Sequence, residues 1–414
     1  MKYCLKCCNC GFVTENFSAW FGRKQFCANC GGRHVEAVYF ADYSQLKELL
    51  KGQPVSFWHY FDFLPLDDKA NIISFGEGAV ILEEWHFLNS YAAENYGVNC
   101  HVYAYRNDMN GGTGTLKDVA ASLIASVLKE NSVSTYCMSS TGNSATANAR
   151  YLSKAGIRFT NFTPYTTNQV TIDEIHSYSQ EVVMSTGDYA QAKQEAAGFS
   201  EKNGVLMSIG NIDPLRVEAK RTMVFEFLRQ LGRLPDVYMQ AVAGGTGPIA
   251  LFKGYCEIEE HLSETANIAS EIAVMSKKLK LPRMLLVQQD LCDPMVQAWE
   301  KAQKDRFPEN FEKEYPVIEN PPTSVFILSA GNPGMYPLVA KIVKKSNGDF
   351  IRVKEDELVD FARIVYQEKN VRIGLAATVC FAGFYQALKE NKIKDGDTVV
   401  INIGESGKRY PDFF

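Results

Sequence analysis

Hydrophobic residues along the chain follow two periods in turn, the twofold period of a β-strand and the longer period of an α-helix. The first clear pair is an alternating run at 100–105, followed by apolar residues at helical spacing over 118–129. Repeated alternation of this kind predicts an α/β fold with a mostly parallel sheet. The predicted strands are 100–105, 133–138, 157–162, 205–209, 237–242, 283–287, 324–328 and 398–403. The predicted helices are 118–129, 145–155, 189–202, 214–231 and one that begins at Ile249.

A glycine-rich turn, Gly111 to Gly114, and then Lys117 separate the first of these strands from its helix. A positive charge at a helix start is unfavourable because it lies beside the positive end of the helix dipole. That position favours the uncharged amine, which is the form that makes a Schiff base with a carbonyl. Lys117 is therefore a candidate Schiff-base lysine for pyridoxal phosphate (PLP). The alternative is a surface lysine that happens to follow glycines.

A second turn follows the strand predicted at 133–138 and precedes the helix predicted at 145–155. Hydroxyl and backbone N–H groups at a helix start can bind a carboxylate, so this turn is a candidate cradle for an amino-acid substrate. The alternative is an ordinary N-cap loop, which the same residue types favour. The candidate substrate-binding residues are Ser139, Ser140, Thr141, Gly142 and Asn143.

A third turn lies between the strand predicted at 237–242 and the next helix, and it contains Gly244, Gly245, Thr246 and Gly247. Glycines let backbone N–H groups converge on a phosphate. The turn lacks the Gly-Lys-Ser/Thr ending of a P-loop and the spacing of a dinucleotide fingerprint. A small cofactor with one phosphate, such as PLP, fits it better than a nucleotide does, and a flexible glycine turn is the alternative.

Composition and charge exclude some partners. A net charge of -5 over 414 residues gives no sign of affinity for nucleic acid or an acidic membrane. No apolar run is long enough to span a bilayer, and the first residues have no signal-peptide core. We therefore expect a cytoplasmic protein with small-molecule partners.

Six of the 11 cysteines precede residue 31, and four of them form two C-x2-C pairs, each followed by glycine. In a reducing compartment such a cluster indicates a metal more often than disulfides, and four thiolates complete a structural zinc site. The predicted zinc ligands are Cys7, Cys10, Cys27 and Cys30. Cys4 and Cys8 compete for the register, because Cys4-x2-Cys7 is also a C-x2-C pair, and His34 could stand in as a ligand. A ribbon that has lost its metal is the other alternative.

Taken in order, these motifs resemble the threonine synthase family, within the fold type II (tryptophan-synthase-β-like) PLP enzymes. The matching features are the cysteine ribbon, the Gly-Glu-Gly at 76–78, and the segments 113–118, 140–143 and 244–247. The resemblance covers most of the chain. It implies that Lys117 binds the cofactor, that Asn143 hydrogen-bonds the cofactor's ring hydroxyl, and that residues 140–142 hold the substrate carboxylate.

The resemblance also implies an architecture of two twisted, mostly parallel sheets flanked by helices, with an N-terminal zinc-ribbon-like module. The expected domains are the module at 1–40, a large PLP-binding domain at 41–118 and 205–414, and a small domain with the carboxylate loop at 119–204. Relatives of this fold are often dimers, so a homodimer is expected.

The C-terminal half resembles one branch, the cysteate synthases, at 232–238, 240–242, 244–247 and 282–289. This similarity implies a β-replacement that joins O-phospho-L-serine and sulfite to give L-cysteate and phosphate. One alternative is a threonine synthase acting on O-phosphohomoserine with water, and another is a related PLP lyase of a specialised pathway. The non-enzyme alternative is a regulatory protein on the same fold.

Two features of the family pattern are altered or unassigned. The family has Asn-Pro where this chain has Gly111-Gly112. Near the C-terminus the family has a Thr-Gly pattern that supplies a hydroxyl to the pyridine nitrogen, and in this chain residues 402–407 replace that pattern. Ile403 cannot make that hydrogen bond. The candidates for this role are Asn402, Ser406 and Glu405, and the cationic candidates for binding the leaving phosphate are Arg150, Arg216, Lys220 and Arg221.

Overall fold

The computed structural model describes residues 2–265 and 279–410. Contacts between Cα atoms divide the chain into two compact units. Unit 1 comprises Met1–Ala79 and Asn110–Thr222, and unit 2 comprises Val80–Met109 and Met223–Phe414. Within the described ranges, no helix is long and apolar enough to cross a membrane.

Strands and helices alternate through the described residues, as the hydrophobic pattern predicts. The strands are β1 (Tyr3–Cys7), β2 (Val13–Thr14), β3 (Val35–Tyr39), β4 (Leu82–Glu84), β5 (His101–Tyr105), β6 (Thr135–Ser139), β7 (Arg158–Pro164), β8 (Glu181–Ser185), β9 (Leu206–Met207), β10 (Val237–Ala241), β11 (Arg283–Gln289), β12 (Asp349–Val353) and β13 (Thr398–Asn402). The α-helices are α1 (Phe17–Gly22), α2 (Leu46–Leu49), α3 (His86–Tyr96), α4 (Lys117–Glu130), α5 (Asn143–Ala155), α6 (Gln169–Ser177), α7 (Tyr189–Asn203), α8 (Pro214–Arg221), α9 (Met223–Leu231), α10 (Thr246–Thr265), α11 (Pro294–Lys304), α12 (Tyr336–Lys345), α13 (Leu358–Lys369) and α14 (Leu375–Lys389).

Unit 1 contains two sheets. The first is antiparallel in the order β2–β1–β3 and carries the cysteine pairs, which makes it compatible with a zinc-ribbon-like module. The second is parallel in the order β8–β7–β6–β9. Parallel strands need crossover connections, and α5, α6 and α7 follow β6, β7 and β8 in the chain.

Helix α4 is buried from Asp118 to Leu128 and packs against α5 and α8 within unit 1. Its sequence explains this position, because alanine, valine, leucine and isoleucine occur on every side of the helix. A helix that is apolar all round is stable only inside a core. Its buried serine Ser122 has a hydrogen-bond partner within the core, since the Ser122 hydroxyl donates to the Ile73 carbonyl at 2.6 Å. Lys117 is therefore the first residue of a core helix.

Unit 2 contains a sheet in the order β12–β11–β10–β13–β5–β4, in which β4 is antiparallel and the other neighbours are parallel. Helix α14 is buried along most of its length and packs against β10 to β13. Strands covered in this way read as continuous apolar runs, as β13 does in Thr-Val-Val-Ile-Asn. The predicted α/β fold, with mostly parallel sheets flanked by helices, is confirmed.

Two predicted elements are wrong. The strand predicted at 324–328 is instead a 3-10 turn, Phe326–Leu328, because the Ser324 N–H donates to the Glu355 carboxylate at 2.6 Å rather than to a neighbouring strand. The helix predicted at 214–231 is two helices, α8 and α9, which are separated at Thr222. The division between the two units falls immediately after that residue.

The packing units have different limits from the predicted domains. Helix α4 packs against both α5 and α8, which joins 205–222 to the predicted small domain. The carboxylate of Glu218 on α8 also accepts hydrogen bonds from the Ala37 N–H at 3.1 Å and the Tyr39 hydroxyl at 2.8 Å, which docks the N-terminal sheet on this helix. The predicted domain boundaries therefore do not coincide with the packing, and as functional domains they stay a prediction.

Candidate active site

The buried carboxylate of Asp118 shapes the turn that precedes Lys117. It accepts hydrogen bonds from the Thr113 N–H, the Thr113 hydroxyl and the Thr115 N–H, each at 2.8 Å. A carboxylate in the first turn of a helix also interacts favourably with the helix dipole. The Lys117 N–H donates to the Thr115 hydroxyl oxygen at 3.1 Å, so the backbone is held on both sides of the lysine.

Close packing explains why glycines stand at 111 and 112. A Cβ atom on Gly111 would lie 2.0 Å from the Phe75 carbonyl oxygen, and one on Gly112 would lie 2.5 Å from the Tyr151 hydroxyl. Gly112 also has a φ of +88°, a conformation that glycine tolerates best. The Tyr151 hydroxyl donates to Glu77 at 2.8 Å, while the second carboxylate oxygen of Glu77 is buried without a partner among the described residues.

Sequence reasoning missed the contribution of Tyr151. It lies two turns beyond Asn143 on α5, and nothing in its local sequence marks it. Its signal is tertiary, because the hydroxyl meets the Gly-Glu-Gly segment and the glycine turn from a distant part of the chain.

The loop from Ser139 to Gly142 lies at the carboxyl end of a parallel strand, β6, and leads directly into α5, where ligands of α/β folds commonly bind. Its carbonyl oxygens are held by the protein, since Asn161 donates to Ser140 O at 2.9 Å and Tyr189 to Ser139 O at 3.3 Å. The Ser139 hydroxyl is buried without a partner in the described part of the chain. This polar atom fits a loop that binds a ligand.

The structure separates the four cationic candidates into two pairs. Arg221 is buried in an ion pair with Glu218, with 3.0 Å between Nε and Oε2. Arg150 donates to the Gly112 carbonyl, and its guanidinium lies 4.5 Å from the centre of the Phe75 ring. These two arginines have structural contacts of their own.

The other pair lies on one face of α8, four residues apart. Arg216 donates to the hydroxyl of Ser144 in the first turn of α5, at 3.4 Å. Lys220 is only 3% exposed. Burial, with the neighbouring positive charges of Lys117 and Arg216, holds the pKa of Lys220 well below its usual range. Lys117, Arg216 and Lys220 therefore form a cationic group within unit 1.

In unit 2 the third turn connects β10 to α10, which begins at Thr246. Gly245 has a φ of +82°, and a Cβ atom there would lie 2.4 Å from Val339. A Cβ atom on Gly247 would lie 2.1 Å from the Gln240 side chain. Gly245 is therefore the position in this turn where the backbone favours glycine. The N–H groups in the first turn of a helix have no partners within the helix, so the turn fits a phosphate group.

Of the three candidates for the ring nitrogen, Asn402 is the last residue of β13, and Glu405 and Ser406 follow it. Strand β13 is a parallel neighbour of β10. The Asn402 amide is engaged on both sides, by Asn107 at 3.0 Å and by the Tyr238 hydroxyl at 3.1 Å. The Glu405 carboxylate accepts from the Ala376 N–H at 2.6 Å. The Ser406 oxygen accepts only from the Lys408 N–H, so the Ser406 hydroxyl has no acceptor in the described ranges. Among these three candidates, Ser406 is thus the favoured donor of a hydrogen bond to the ring nitrogen.

The four predicted zinc ligands lie together. The sulfur atoms of Cys7, Cys10, Cys27 and Cys30 lie within 4.8 Å of one another, with 3.7 Å between Cys7 and Cys30 and 3.6 Å between Cys10 and Cys27. Tetrahedral zinc with bonds of about 2.3 Å places its sulfur ligands about 3.8 Å apart, so the donor set fits this metal. Cys4, the competing residue, is not part of the cluster.

These features describe an α/β protein that has a polar loop and a half-buried lysine in unit 1, and a glycine turn after a strand of the parallel sheet in unit 2. A family model described as "Pyridoxal-phosphate dependent enzyme" matches residues 75–404. The chain belongs to this family of PLP-dependent enzymes.

Among individual proteins, this chain is similar to threonine synthases over nearly its whole length. The threonine synthase of Methanocaldococcus jannaschii is 24% identical over 421 aligned residues, which cover 100% of this chain and 93% of that protein. The threonine synthase of Methanosarcina acetivorans is 24% identical, with 96% and 90% covered. The resemblance to threonine synthases and the prediction of a PLP-dependent enzyme are confirmed.

Solved structures show the same fold at low identity. Maize serine racemase superposes with a TM-score of 0.62 at 15% identity, covering 89% of this chain and 95% of that one. Diaminopropionate ammonia lyase from Escherichia coli gives a TM-score of 0.60 at 14% identity, covering 88% of this chain and 89% of that one.

Proposed function

We propose that the enzyme catalyses β-replacement on an O-phospho amino acid, converting O-phospho-L-serine and sulfite into L-cysteate and phosphate. The observation that carries this proposal is the cationic group of Lys117, Arg216 and Lys220, which suits a substrate with an anionic leaving group. The similarity of the C-terminal half to cysteate synthases supports the choice of substrate and nucleophile.

The proposal gives the cofactor the following protein contacts. Lys117 would hold the cofactor covalently through its amine, and Asn143, the buried first residue of α5, would donate a hydrogen bond to the cofactor's ring hydroxyl. The turn Gly244–Gly247 holds the phosphate through its N–H groups, with Thr246 opening α10. Ser406 donates to the ring nitrogen. A hydroxyl partner leaves that nitrogen neutral, which favours elimination of the leaving group.

The substrate is held and deprotonated by residues of unit 1. Hydroxyl and N–H groups of 139–142 bind its carboxylate, and the buried Ser139 hydroxyl gains a partner there. The Lys117 amine would take the α-proton of the substrate. When bound, PLP supplies the electron sink that stabilises the resulting carbanion. Arg216 and Lys220 neutralise the departing phosphate.

Threonine synthase activity is the second candidate, because curated threonine synthases align with this chain over nearly their whole length. That reaction uses O-phosphohomoserine and water. It requires a second proton abstraction and room for one more methylene group than phosphoserine has. The two candidates therefore differ in which phospho amino acid is consumed.

Phosphate release tests the proposal. The PLP-loaded protein is incubated with O-phospho-L-serine or O-phosphohomoserine, with and without sulfite, and inorganic phosphate and the amino-acid product are measured. We expect release to be faster from phosphoserine by about 10- to 200-fold, the discrimination that one methylene group provides. We also expect cysteate to form when sulfite is present. Threonine formed from phosphohomoserine would instead establish the second candidate.

We also propose that Cys7, Cys10, Cys27 and Cys30 hold a structural zinc ion. Four thiolates leave no open coordination position, so this ion would stabilise the N-terminal module rather than take part in catalysis. The spacing of the four sulfur atoms supports the proposal.

A cysteine substitution tests this zinc site. We expect Cys27→Ser to reduce zinc content from about one ion per chain to near zero, because three thiolates bind zinc less tightly than four. Metal content is measured by mass spectrometry, and hydrogen exchange over 2–40 measures the local loss of structure. The matched control is Cys8→Ser, an exposed cysteine outside the cluster, which should retain the ion. Equal metal content in both variants would contradict the assignment.

A further inference from the structure

A network of four hydrogen-bonding side chains crosses the carboxyl edge of the sheet in unit 2. Asn107 follows β5, Asn402 ends β13, and Tyr238 and Gln240 lie on β10, where residues two apart share a face. The Asn107 amide donates to Asn402 Oδ1 at 3.0 Å. Asn402 Nδ2 donates to the Tyr238 hydroxyl at 3.1 Å, and that hydroxyl donates to Gln240 Oε1 at 2.8 Å. The donors therefore all point the same way, from the end of β5 towards β10.

Tyr238 sets the orientation of the Gln240 amide. Tyr238 is fully buried, and burial raises the pKa of its hydroxyl, so the phenol keeps its proton. A phenol has only one proton to donate. Because the Tyr238 oxygen accepts from Asn402, its proton goes to Gln240. The Gln240 oxygen is thereby occupied, and the Nε2 hydrogens are the donors at the end of the network.

The network ends against the third glycine turn. A Cβ atom on Gly247 would lie 2.6 Å from Gln240 Nε2 and closer still to Oε1, so the amide lies directly beside the first turn of α10. Within the described ranges, Gln240 Nε2 donates to no acceptor. A phosphate group held by the N–H groups of this turn would supply one, because its oxygens accept hydrogen bonds.

We propose that Gln240 is a further ligand of the cofactor's phosphate group, donating through Nε2, and that the three residues before it in the network are positioning residues. This inference rests on the proposed placement of that phosphate at 244–247. Asn402 then acts through Tyr238 on the phosphate end of the cofactor rather than on the ring nitrogen. Aligned hydrogen bonds polarise one another, which strengthens the last bond to a charged acceptor.

Paired affinities for PLP and pyridoxal test the proposal, because pyridoxal has the same ring and aldehyde but lacks the phosphate group. The full-length protein is stripped of cofactor, and each compound is titrated by visible absorbance and equilibrium dialysis. We expect Gln240→Met to weaken PLP binding about 10- to 100-fold, the value of a hydrogen bond to a charged group. Pyridoxal binding should stay near wild type. Gln240→Glu should weaken PLP binding further, since a carboxylate repels phosphate.

Tyr238→Phe keeps the buried ring and removes the hydroxyl that orients Gln240. We expect it to weaken PLP binding about 2- to 10-fold, the value of a neutral hydrogen bond, again without changing pyridoxal binding. The matched control is Tyr105→Phe, a second buried tyrosine that packs on Phe227 as Tyr238 does. Gln303→Met, an exposed glutamine of α11, is the control for Gln240→Met. Both controls should bind PLP as wild type does.

Thermal melts of the cofactor-free proteins confirm that each variant is folded. A residue that only supports the fold would weaken PLP and pyridoxal alike, because both compounds use the same ring and aldehyde contacts. Equal losses for the two compounds in Gln240→Met would therefore overturn the proposal. Unchanged affinity for PLP in that variant would overturn it as well.

Gly245→Ala separates this inference from the proposed cofactor contacts, because it distorts the turn at a φ of +82°. Loss of the preference for PLP over pyridoxal in Gly245→Ala, with a wild-type preference in Gln240→Met, would overturn the role of Gln240 alone. A wild-type preference in both variants would overturn the placement of the phosphate at 244–247 and this inference with it. Phosphate release from phosphoserine is measured separately, so its failure would overturn the proposed reaction and leave the role of Gln240 standing.

Discussion

The Lys117→Ala substitution should abolish covalent attachment of PLP and lower the rate of phosphate release by at least about 10³-fold, the scale expected when one residue is both the covalent anchor and the general base. Lys117 is the first residue of the buried helix α4, and the Asp118 carboxylate holds the turn before it. Absorbance spectra measure the attachment, and inorganic phosphate measures the turnover.

The matched control is Lys129→Ala, which removes an exposed lysine from the last turn of the same helix. It should retain both the visible absorbance band and turnover. The Lys117→Arg substitution tests whether positive charge alone is sufficient, because guanidinium keeps the charge but does not form the covalent bond. We expect the Lys117→Arg variant to be as inactive as the alanine variant. A visible band and full turnover in Lys117→Ala would rule out the assigned role.

The Asp118→Ala substitution should lower the stability of unit 1 by roughly 1–3 kcal/mol, the cost of leaving one buried donor without an acceptor. The substitution orphans the N–H groups of Thr113 and Thr115. Asp118→Asn should cost less, because an amide keeps one acceptor oxygen. Chemical denaturation measures stability, and hydrogen exchange over 110–117 measures loss of the turn.

Glu201→Ala, which removes an exposed carboxylate from α7, is the control and should leave both measurements near wild type. Because the turn precedes Lys117 directly, Asp118→Ala should also slow PLP attachment. If exchange over 110–117 were unchanged, the Asp118 carboxylate would not be what holds the turn.

Most of the fold could be predicted from the sequence, because strands and core helices depend on local periodicity. The α4 segment is apolar on all sides, and β13 is a short continuous apolar run, so both elements are recognisable without their neighbours. The segment 324–328 also reads as a strand. It folds otherwise because Ser324 meets a carboxylate 31 residues further along the chain, Glu355, which no local pattern contains.

The candidate site likewise has one part that the sequence predicts and another part that depends on the folded structure. The sequence by itself determined the glycine and hydroxyl turns at 111–117, 139–143 and 244–247, because glycine and small polar residues have strong conformational preferences of their own. Only the tertiary structure distinguished the surroundings of the cations. Lys220 and Arg221 are adjacent and equally charged in the sequence, but Arg221 meets the buried carboxylate of Glu218 while Lys220 faces Lys117 and Arg216. A charge acquires its role from the groups that surround it after folding, since burial and neighbouring charges decide whether it is paired, neutral or ready for an anion.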